Sequence, residues 1–333
     1  MQPNQAIAGR VLVWWPLTLL FAACAGVVGG RSQYEQGQLD FVPHAINDQN
    51  LVVGVKGAQA VRFSEGILTI LPFLPITGAP YVAVDVNRSG TVLGLTDVPQ
   101  VPAVYWMAPD YPISGWLDEA PVGLFEPKAL NENLMVVGNS GDAELAFRWT
   151  QLARYTSLRA TPTEPRAAVN DVNDSGVAVG RSVTGDLLIW GPTATVATRV
   201  TARVASGPFI RSDGAVLWSD GKDVLFRSTL GSIVDRPIPV DGAIELTGVS
   251  EAGRLIGTVT LNGVTKGWTV RGQDAVLLLT PTNPQGDEHL KPVGVNRCGN
   301  IVSQRIRGGI AVSGALHSRT LICDPPDIVT TTQ

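Results

Sequence analysis

A short pattern recurs seven times along the chain and constrains its fold more than any other feature of the sequence. Each copy has one or two apolar residues, a polar residue that opens a turn, usually Gly or Asn three residues later, and a short apolar run. Successive openers lie 38 to 46 residues apart, close to the length of one four-stranded propeller blade. The openers are Asn47, Asn87, Asn131, Asn173, Arg211, Ser250 and Asn296.

Each copy of the pattern predicts a tight hairpin turn. Six of the seven residues that follow the opener by three places are Gly or Asn, the types that tolerate a positive φ. A polar opener followed by a left-handed residue suits a type I turn with a G1 bulge between two antiparallel strands. The third repeat has Leu134 at this place, which predicts that its turn is built differently.

A large aromatic ring follows the opener by 15 to 19 residues in six of the repeats. Such a ring suits the apolar space between neighbouring blades, and the apolar stretch after it predicts a fourth, outer strand. The sequence therefore predicts an all-β fold, a seven-bladed β-propeller of about 40-residue repeats, with six blades if the irregular fifth repeat forms only a connection. The rings are Phe63, Trp106, Trp149, Trp190, Phe226 and Trp268.

The repeat resembles that of the bacterial extracellular proteins named for a His-Ala-Phe triplet, the HAF-type repeats. The nearest copies run from Asn131 to Trp149 and from Asn47 to Phe63, and the turn spacing is shared by every repeat after residue 40. All seven repeats lack the His of the triplet, and Trp218 stands where the family keeps Gly. The resemblance implies an exported, propeller-like repeat domain, and it carries over no catalytic residue.

The N-terminus has the features of an export signal. Residues 11–29 are uncharged and largely apolar and follow Arg10, as in the first two regions of a signal peptide. Residues 21–24, Phe-Ala-Ala-Cys, resemble a bacterial lipoprotein box, in which Cys24 would be lipidated and become the mature N-terminus. Two alternatives stay open, an ordinary cleaved signal peptide and an uncleaved anchor helix. All three predict repeats outside the cytoplasm, in the cell envelope or secreted.

These features divide the chain into four predicted segments. They are a signal peptide (1–23), a flexible linker (24–36), the propeller (37–326) and a disordered tail (327–333). The ring has two predicted ways to close: residues 37–43 supply the outer strand of the last blade beside residues 321–324, or the seventh repeat completes itself. Cys298 and Cys323 both lie in that repeat, and they either form a disulfide or remain two separate thiols.

Charge and motifs exclude several classes of function. Only 16% of the residues are charged, the net charge is −4 and there is no basic stripe, which argues against nucleic acid as a partner. Segments beginning at Asp85 and Asp171 resemble the first half of a calcium loop, but Thr96 and Ser182 stand where a calcium loop has Glu. With no zinc spacing among the three His and no phosphate or dinucleotide fingerprint, we predict no metal and no cofactor.

The function that fits these features best is a non-enzymatic binding or scaffolding module outside the cytoplasm. We expect a lipid-anchored monomer that contacts an envelope protein or a glycan, still unidentified, through loops that precede the inner strands. The candidate contact loops are residues 74–82, 118–128 and 282–292.

Two other functions stay open. A polysaccharide lyase or hydrolase would use acid and base groups that converge on the propeller axis, with His44, Glu126, Glu164 and His289 as candidates. A purely structural envelope protein would bind no ligand. Ionisable groups clustered at the axis would favour the enzyme, whereas an apolar or Thr- and Ser-lined funnel would favour the binding module.

Overall fold

The computed structural model covers most of the repeat region. The chain divides into Met1–Arg31 and Ser32–Gln333, and all described residues belong to the second unit. The leader with Cys24, the linker up to residue 33, Cys323 and the tail lie outside the described residues. None of the described residues forms a helix long and apolar enough to cross a membrane. The structure describes residues 34–73, 81–96, 103–108, 110–117, 125–141, 145–228, 231–236, 238, 240–272, 276–281, 284 and 286–319.

Seven four-stranded antiparallel sheets form the blades of a β-propeller. Blades 1 to 6 each take four consecutive strands, the first innermost and the fourth outermost. The fifth repeat, despite its irregular sequence, forms a complete blade, so the six-blade alternative is wrong. Each inner strand contacts the inner strand of the next blade, and the last contacts the first, which closes the ring around a central channel.

The strands are short, as expected from the spacing of the turns. Blade 1 has β2 (Val42–Ile46), β3 (Val52–Lys56), β4 (Gln59–Ser64) and β5 (Ile67–Ile70); blade 2 has β6 (Tyr81–Val86), β7 (Val92–Thr96), β8 (Ala103–Trp106) and β9 (Ile113–Trp116); blade 3 has β10 (Phe125–Leu130), β11 (Val136–Ser140), β12 (Leu145–Thr150) and β13 (Arg154–Leu158).

The remaining strands complete the ring in the same order. Blade 4 has β14 (Ala167–Val172), β15 (Ala178–Ser182), β16 (Asp186–Trp190) and β17 (Thr198–Arg203); blade 5 has β18 (Ser206–Ile210), β19 (Val216–Ser219), β20 (Val224–Arg227) and β21 (Ile233–Arg236); blade 6 has β22 (Ala243–Val249), β23 (Arg254–Leu261), β24 (Val264–Arg271) and β25 (Leu277–Leu279); blade 7 has β26 (His289–Val295), β27 (Ile301–Arg307), β28 (Ile310–Arg319) and, from the start of the chain, β1 (Tyr34–Leu39).

The first strand of the chain closes the ring. β1 pairs antiparallel with β28, from Tyr34 opposite Arg319 to Leu39 opposite Gly314, so an N-terminal strand does supply the outer strand of the last blade. Its neighbour is β28 rather than residues 321–324, which lie outside the described residues. The propeller therefore begins at Tyr34, inside the segment 24–36 that the sequence had suggested was a flexible linker.

All seven repeat turns have the same backbone form. In each, the N–H of the third residue after the opener donates to the opener carbonyl, and the opener N–H donates to the carbonyl four residues on. The residue three places after the opener has a positive φ in every repeat, including Leu134 at 56°. The prediction of a different third turn is wrong, because two main-chain hydrogen bonds hold Leu134 in a conformation that its side chain disfavours.

Tryptophan rings fill the core between neighbouring blades. Trp106, Trp149, Trp190 and Trp268 are fully buried, and so is Trp218 on the second strand of blade 5. Trp218 Nε1 donates to Arg203 O of blade 4 (3.1 Å), as Trp190 Nε1 of blade 4 donates to Arg159 O of blade 3 (3.0 Å). In blade 5 the buried ring thus lies on the second strand, at the position where the other blades, apart from blade 7, carry Gly. Phe226, at the usual ring position, is only partly buried.

Candidate functional site

The inner strands present two rows of side chains to the channel. The residues five and three places before the opener are at least partly exposed, whereas the residue between them is buried, in every blade except blade 5. This alternation follows from the two-residue period of a strand. The channel has an entry face, where the inner strands begin, and a turn face, where the openers lie.

A bulge interrupts each inner strand near its middle, at or next to the third residue before the opener. A bulge leaves main-chain N–H and C=O groups unpaired within the sheet. Main-chain carbonyls at the bulges accept hydrogen bonds from side chains of the preceding blade. Asn170 Nδ2 donates to Pro208 O (2.9 Å) and Thr247 Oγ1 donates to Pro292 O (2.7 Å). His44 Nδ1 lies 2.7 Å from Ala83 O, and burial lowers the pKa of His44.

A ring of buried amides joins the blades at the turn face, and we call it the amide ring. The side chains of the five Asn openers donate across the blade boundary to the main-chain carbonyl of the next opener, and the last bond crosses from blade 7 to blade 1. The five bonds are Asn47 Nδ2 to Asn87 O (3.0 Å), Asn87 Nδ2 to Asn131 O (3.2 Å), Asn131 Nδ2 to Asn173 O (2.9 Å), Asn173 Nδ2 to Arg211 O (3.2 Å) and Asn296 Nδ2 to Asn47 O (3.1 Å).

The same five Asn side chains also complete their own turns. In each, Oδ1 accepts the main-chain N–H four residues on, at 2.7 to 3.0 Å. Ser250 Oγ accepts the equivalent N–H of Arg254 at 3.1 Å, but a hydroxyl is too short to reach the next blade as well. Arg211 instead pairs with Asp213 at 2.9 Å. The amide ring is therefore continuous except at the boundaries from blade 5 to 6 and from blade 6 to 7.

A small cavity of about 210 Å³ lies at the turn face, inside the amide ring. Its acidic side chains accept main-chain N–H groups from the preceding blade: Glu132 from Arg88, Asp174 from Glu132, and Asp48 from Arg297. Arg88 Nη2 lies 3.5 Å from Asp174, and its Nε lies 3.8 Å from Asp48. The charged side chains around the small cavity thus contact neighbouring blades and hold them together.

Two partly buried carboxyl groups clamp the blades just inside the amide ring. Asp85 accepts the N–H of Leu130 (2.8 Å) and Asp171 that of Ile210 (2.9 Å), in each case across a blade boundary. Burial raises the pKa of Asp85 to about 6 and that of Asp171 to about 7, although the main-chain N–H bonds act in the opposite direction. The charges of Asp85 and Glu251 add to the increase at Asp171.

A large cavity of about 620 Å³ lies at the entry face, lined by blades 3 to 7. Small residues create the space, since Ala168, Ala205, Ser206 and Gly207 line it where other blades carry larger side chains. Five charged side chains line it as well: Glu126, Lys128, Arg181, Glu245 and Lys291. A ligand in this cavity would meet three cations and two anions.

Four of the five charged side chains are already paired. Lys128 bonds to Glu126 within blade 3, and Lys291 Nζ of blade 7 lies 3.1 Å from Glu245 Oε1 of blade 6. Glu245 Oε2 also accepts the hydroxyl of Thr258 at 2.9 Å. Arg181 is exposed and makes one long hydrogen bond, from Nη1 to Ala205 O at 3.5 Å.

The neutral polar side chains of the large cavity are largely occupied by the main chain. Asn139 spans Val169, donating to its carbonyl at 3.0 Å and accepting its N–H at 2.8 Å. Ser206 Oγ accepts the N–H of Leu246 at 2.8 Å. Together with the bonds of Asn170 and Thr247, these contacts leave charge and apolar surface as the main features that the cavity presents.

The structure does not gather the four acid and base candidates at one point. Glu126 lines the large cavity. Glu164 lies in the connection from β13 to β14, where Arg166 lowers its pKa through main-chain and side-chain hydrogen bonds. Half-buried His44 bonds to the next blade, and His289 begins β26 without lining either cavity. Of the candidate contact loops, only residues 126, 128 and 291 are seen to line the large cavity.

Other predicted sites have varied outcomes. Cys298 is disulfide-bonded, while Cys323, the partner predicted from the sequence, lies outside the described residues. Among the described residues, no group of three or more His, Cys, Asp or Glu side chains could hold a metal ion. Asp85 and Asp171, which resemble the start of a calcium loop, clamp neighbouring blades instead.

Sequence reasoning did not identify the bonds between blades or the charged lining of the large cavity. One signal was present, since five openers are Asn although a turn opener needs only one oxygen. An amide that serves both its own turn and the next blade explains that choice. Arg181, Glu245 and Lys291 come from three different blades, so no local pattern could have grouped them.

Comparisons with known proteins identify the fold. No protein-family model and no curated protein sequence matches this chain. Among solved structures, a catalytically inactive virginiamycin B lyase from Staphylococcus aureus with quinupristin is similar, with a TM-score of 0.63 and 13% identity over 87% of this chain and 100% of that chain.

Two further structures have the same propeller architecture. A streptogramin B lyase gives a TM-score of 0.53 at 11% identity, covering 86% of this chain and 97% of its own. YCF48 bound to D1 peptide gives 0.56 at 13% identity, covering 88% of this chain and 97% of its own. At such low identity these likenesses show the propeller fold alone.

Proposed function

We propose that this chain is a non-enzymatic propeller that binds a polar ligand in the large cavity at its entry face. The observation that carries the proposal is the contrast between the two ends of the channel. At the turn face the polar groups bond to one another around a cavity of about 210 Å³. At the entry face a cavity of about 620 Å³ is lined by five charged side chains, and one of them, Arg181, is in no ion pair with any described residue. Concave sites with a few convergent polar groups are typical of ligand binding.

We also propose that the protein works in the bacterial cell envelope, anchored by lipid at Cys24. Two sequence features support this, the lipoprotein-like box at residues 21–24 and the resemblance to exported HAF-type repeats. Its partner would then be an envelope protein or a glycan within reach of the anchor. The mass of the protein made in a bacterium with its own leader tests this, because lipidation gives a chain that begins at Cys24 and carries acyl groups.

A polysaccharide or other lyase is the second candidate. Two observations favour it: the carboxyl of Asp171 lies by the channel with its pKa raised to about 7, a value suited to acid–base chemistry, and two similar structures are lyases. Against it, both oxygens of Asp171 already accept main-chain N–H groups, at 2.8 and 2.9 Å. YCF48, also similar, is bound to a peptide, so the fold does not choose between the two roles.

The test is calorimetric binding of a defined panel: capped peptides of Glu, Gln or Lys with Ala and Val, and neutral and uronic disaccharides. Ala168→Trp fills the large cavity, and Leu152→Trp, at a side chain that is 99% exposed, is the matched control. We expect binding by the wild type and Leu152→Trp but not by Ala168→Trp. Mass spectrometry of the same mixtures detects cleaved products, which would establish the lyase; no cavity-dependent binding would favour a structural protein.

A further inference from the structure

We infer that the ligand of the large cavity is an acidic, extended peptide whose carboxylate pairs with Arg181. This rests on the binding function proposed above and names the chemistry of the ligand. The charges that line the cavity support it. Of its three cations, Lys128 and Lys291 each have an acidic partner, whereas the described residues place no acidic group in an ion pair with Arg181.

Arg181 is positioned to face the cavity. It lies on β15 directly opposite Ala168 of β14, and residues opposite each other on antiparallel strands share a face of the sheet. Ala168 and Ser206 occupy the channel-facing row in blades 4 and 5, and both are small. The guanidinium therefore borders open space, and its hydrogen bond to Ala205 O at 3.5 Å leaves most of its five N–H donors available.

A guanidinium suits a carboxylate better than it suits a neutral group. Its planar donors match the two carboxylate oxygens, and charge-assisted pairs of this kind are roughly twice as strong as neutral hydrogen bonds. Glu126 and Glu245 do not compete for Arg181, because each is already bonded to a lysine. Among the described residues, the guanidinium of Arg181 is thus open to a carboxylate of the ligand.

The electrostatic field favours an acidic ligand at this cavity. The whole chain has a net charge of −4, yet the charged side chains that line the large cavity are three basic and two acidic. A concave patch whose charge is opposite to that of the ligand raises the local concentration of the ligand and speeds association. Because part of this attraction acts through water, binding should weaken as salt is added.

The rest of the lining favours a peptide over a neutral sugar. A sugar needs many hydrogen-bond partners, but Asn139, Ser206 and Thr247 are already bonded to the main chain. The cavity also presents apolar surface from Phe209 and Val293, which suits aliphatic side chains. An extended peptide with an acidic side chain next to an apolar one satisfies both features.

The test measures binding of the capped peptide Ala-Glu-Val-Glu-Ala, its Gln analogue and its Lys analogue by calorimetry in 50 mM and 500 mM salt. We expect the Glu peptide to bind at least tenfold more tightly than the others, and Arg181→Gln to lose at least tenfold of that affinity. Arg181→Lys should recover only part of it, because a lysine cannot form the bidentate pair. Arg159→Gln, at an exposed arginine outside the cavity, should bind like the wild type.

The outcomes separate this inference from the function on which it rests. Equal binding of the Glu and Gln peptides, or full affinity in Arg181→Gln, overturns the inference but keeps the cavity as a binding site if Ala168→Trp abolishes that binding. A uronic disaccharide that binds more tightly than the Glu peptide also overturns it, in favour of an acidic glycan. Failure of every probe to bind the wild type overturns both proposals.

Discussion

The two ends of the channel have similar residue types but differ in how completely their polar groups are bonded within the protein. At the turn face, buried Asn and partly buried Asp and Glu side chains accept or donate hydrogen bonds across almost every blade boundary. At the entry face, charged side chains line an open cavity, and the contact that the described residues make with Arg181 is a long one, from the main chain. A polar residue at the channel is therefore structural or available to a ligand according to whether its bonds are complete.

This difference has an energetic reason. A buried polar group that lacks a partner costs about 1–3 kcal/mol, so the buried amides of the turn face must be satisfied within the protein. The open cavity has no such requirement, because water can hydrate the exposed guanidinium of Arg181 until a ligand arrives. We therefore expect substitutions at the turn face to change stability and substitutions at the entry face to change binding.

Removing one member of the amide ring should have the largest effect on stability. Asn131→Ala removes the bond to Asn173 O and frees the N–H groups of Asn133 and Met135, in a side chain that is 3% exposed. With one buried and two part-buried hydrogen bonds lost, we expect a loss of about 3 kcal/mol, measured by urea unfolding.

The matched substitution at the entry face is Asn170→Ala, which removes a single bond, to Pro208 O, next to the large cavity. We expect it to cost about 1 kcal/mol, because water can reach the freed carbonyl. Equal losses in the two variants would show that the distinction between the two ends is wrong.

The pH dependence of stability should reveal the enclosed carboxyl groups. The pKa of Asp171 is about 7 in the folded protein and 3.8 is its ordinary value, so the folded state holds this proton more tightly than the unfolded state. The contribution of Asp171 to stability should be greatest at low pH, where both states are protonated, and should fall as pH rises from about 4 to about 7. Asp171 contributes at most about 4 kcal/mol to this fall.

Asp171→Asn should flatten that part of the stability curve, measured by urea unfolding at a series of pH values. Asp241→Asn, at an exposed aspartate, serves as the control and should leave the slope unchanged. If the wild-type curve falls no more steeply between pH 4 and 7 than the Asp171→Asn curve, the main-chain hydrogen bonds of Asp171 offset its burial.

Repairing the gap in the amide ring should have the smallest effect on the free energy of unfolding, and the effect should be an increase. Ser250→Asn keeps an oxygen for the N–H of Arg254 and adds an amide that can donate to Asn296 O. The small cavity beside Ser250 gives the larger side chain room. We expect a gain of about 1 kcal/mol, detected as a shift in the urea midpoint; a loss would indicate that the gap has a different cause.

The fold was predictable because its information is local and repeated. The opener, the positive-φ position and the core ring recur in nearly every repeat, so seven weak signals support one another. The prediction for Leu134 failed because residue preference is weaker than the two hydrogen bonds of the turn. Trp218 was read only as a departure from the repeat pattern, since its role depends on a carbonyl in the preceding blade.

The candidate site was much less predictable than the fold. Glu126 was among the expected contributors, but Arg181, Glu245 and Lys291 meet only because seven inner strands form a ring. Their side chains come from separate repeats, and neither Arg181 nor Lys291 recurs at the same repeat position in another blade. A sequence pattern detects what recurs, whereas a binding site consists of the positions at which the blades differ.

The closing strand β1 can pair only after the last blade has been synthesised. Ribosomes make Tyr34 long before Arg319, yet the two lie opposite each other in one sheet. Until synthesis reaches β28, β1 lacks its partner strand, and both of its edges are open to other chains. Pairing with β28 covers one of these edges, so a chain that lacks the last blade leaves β1 less protected than the complete ring does.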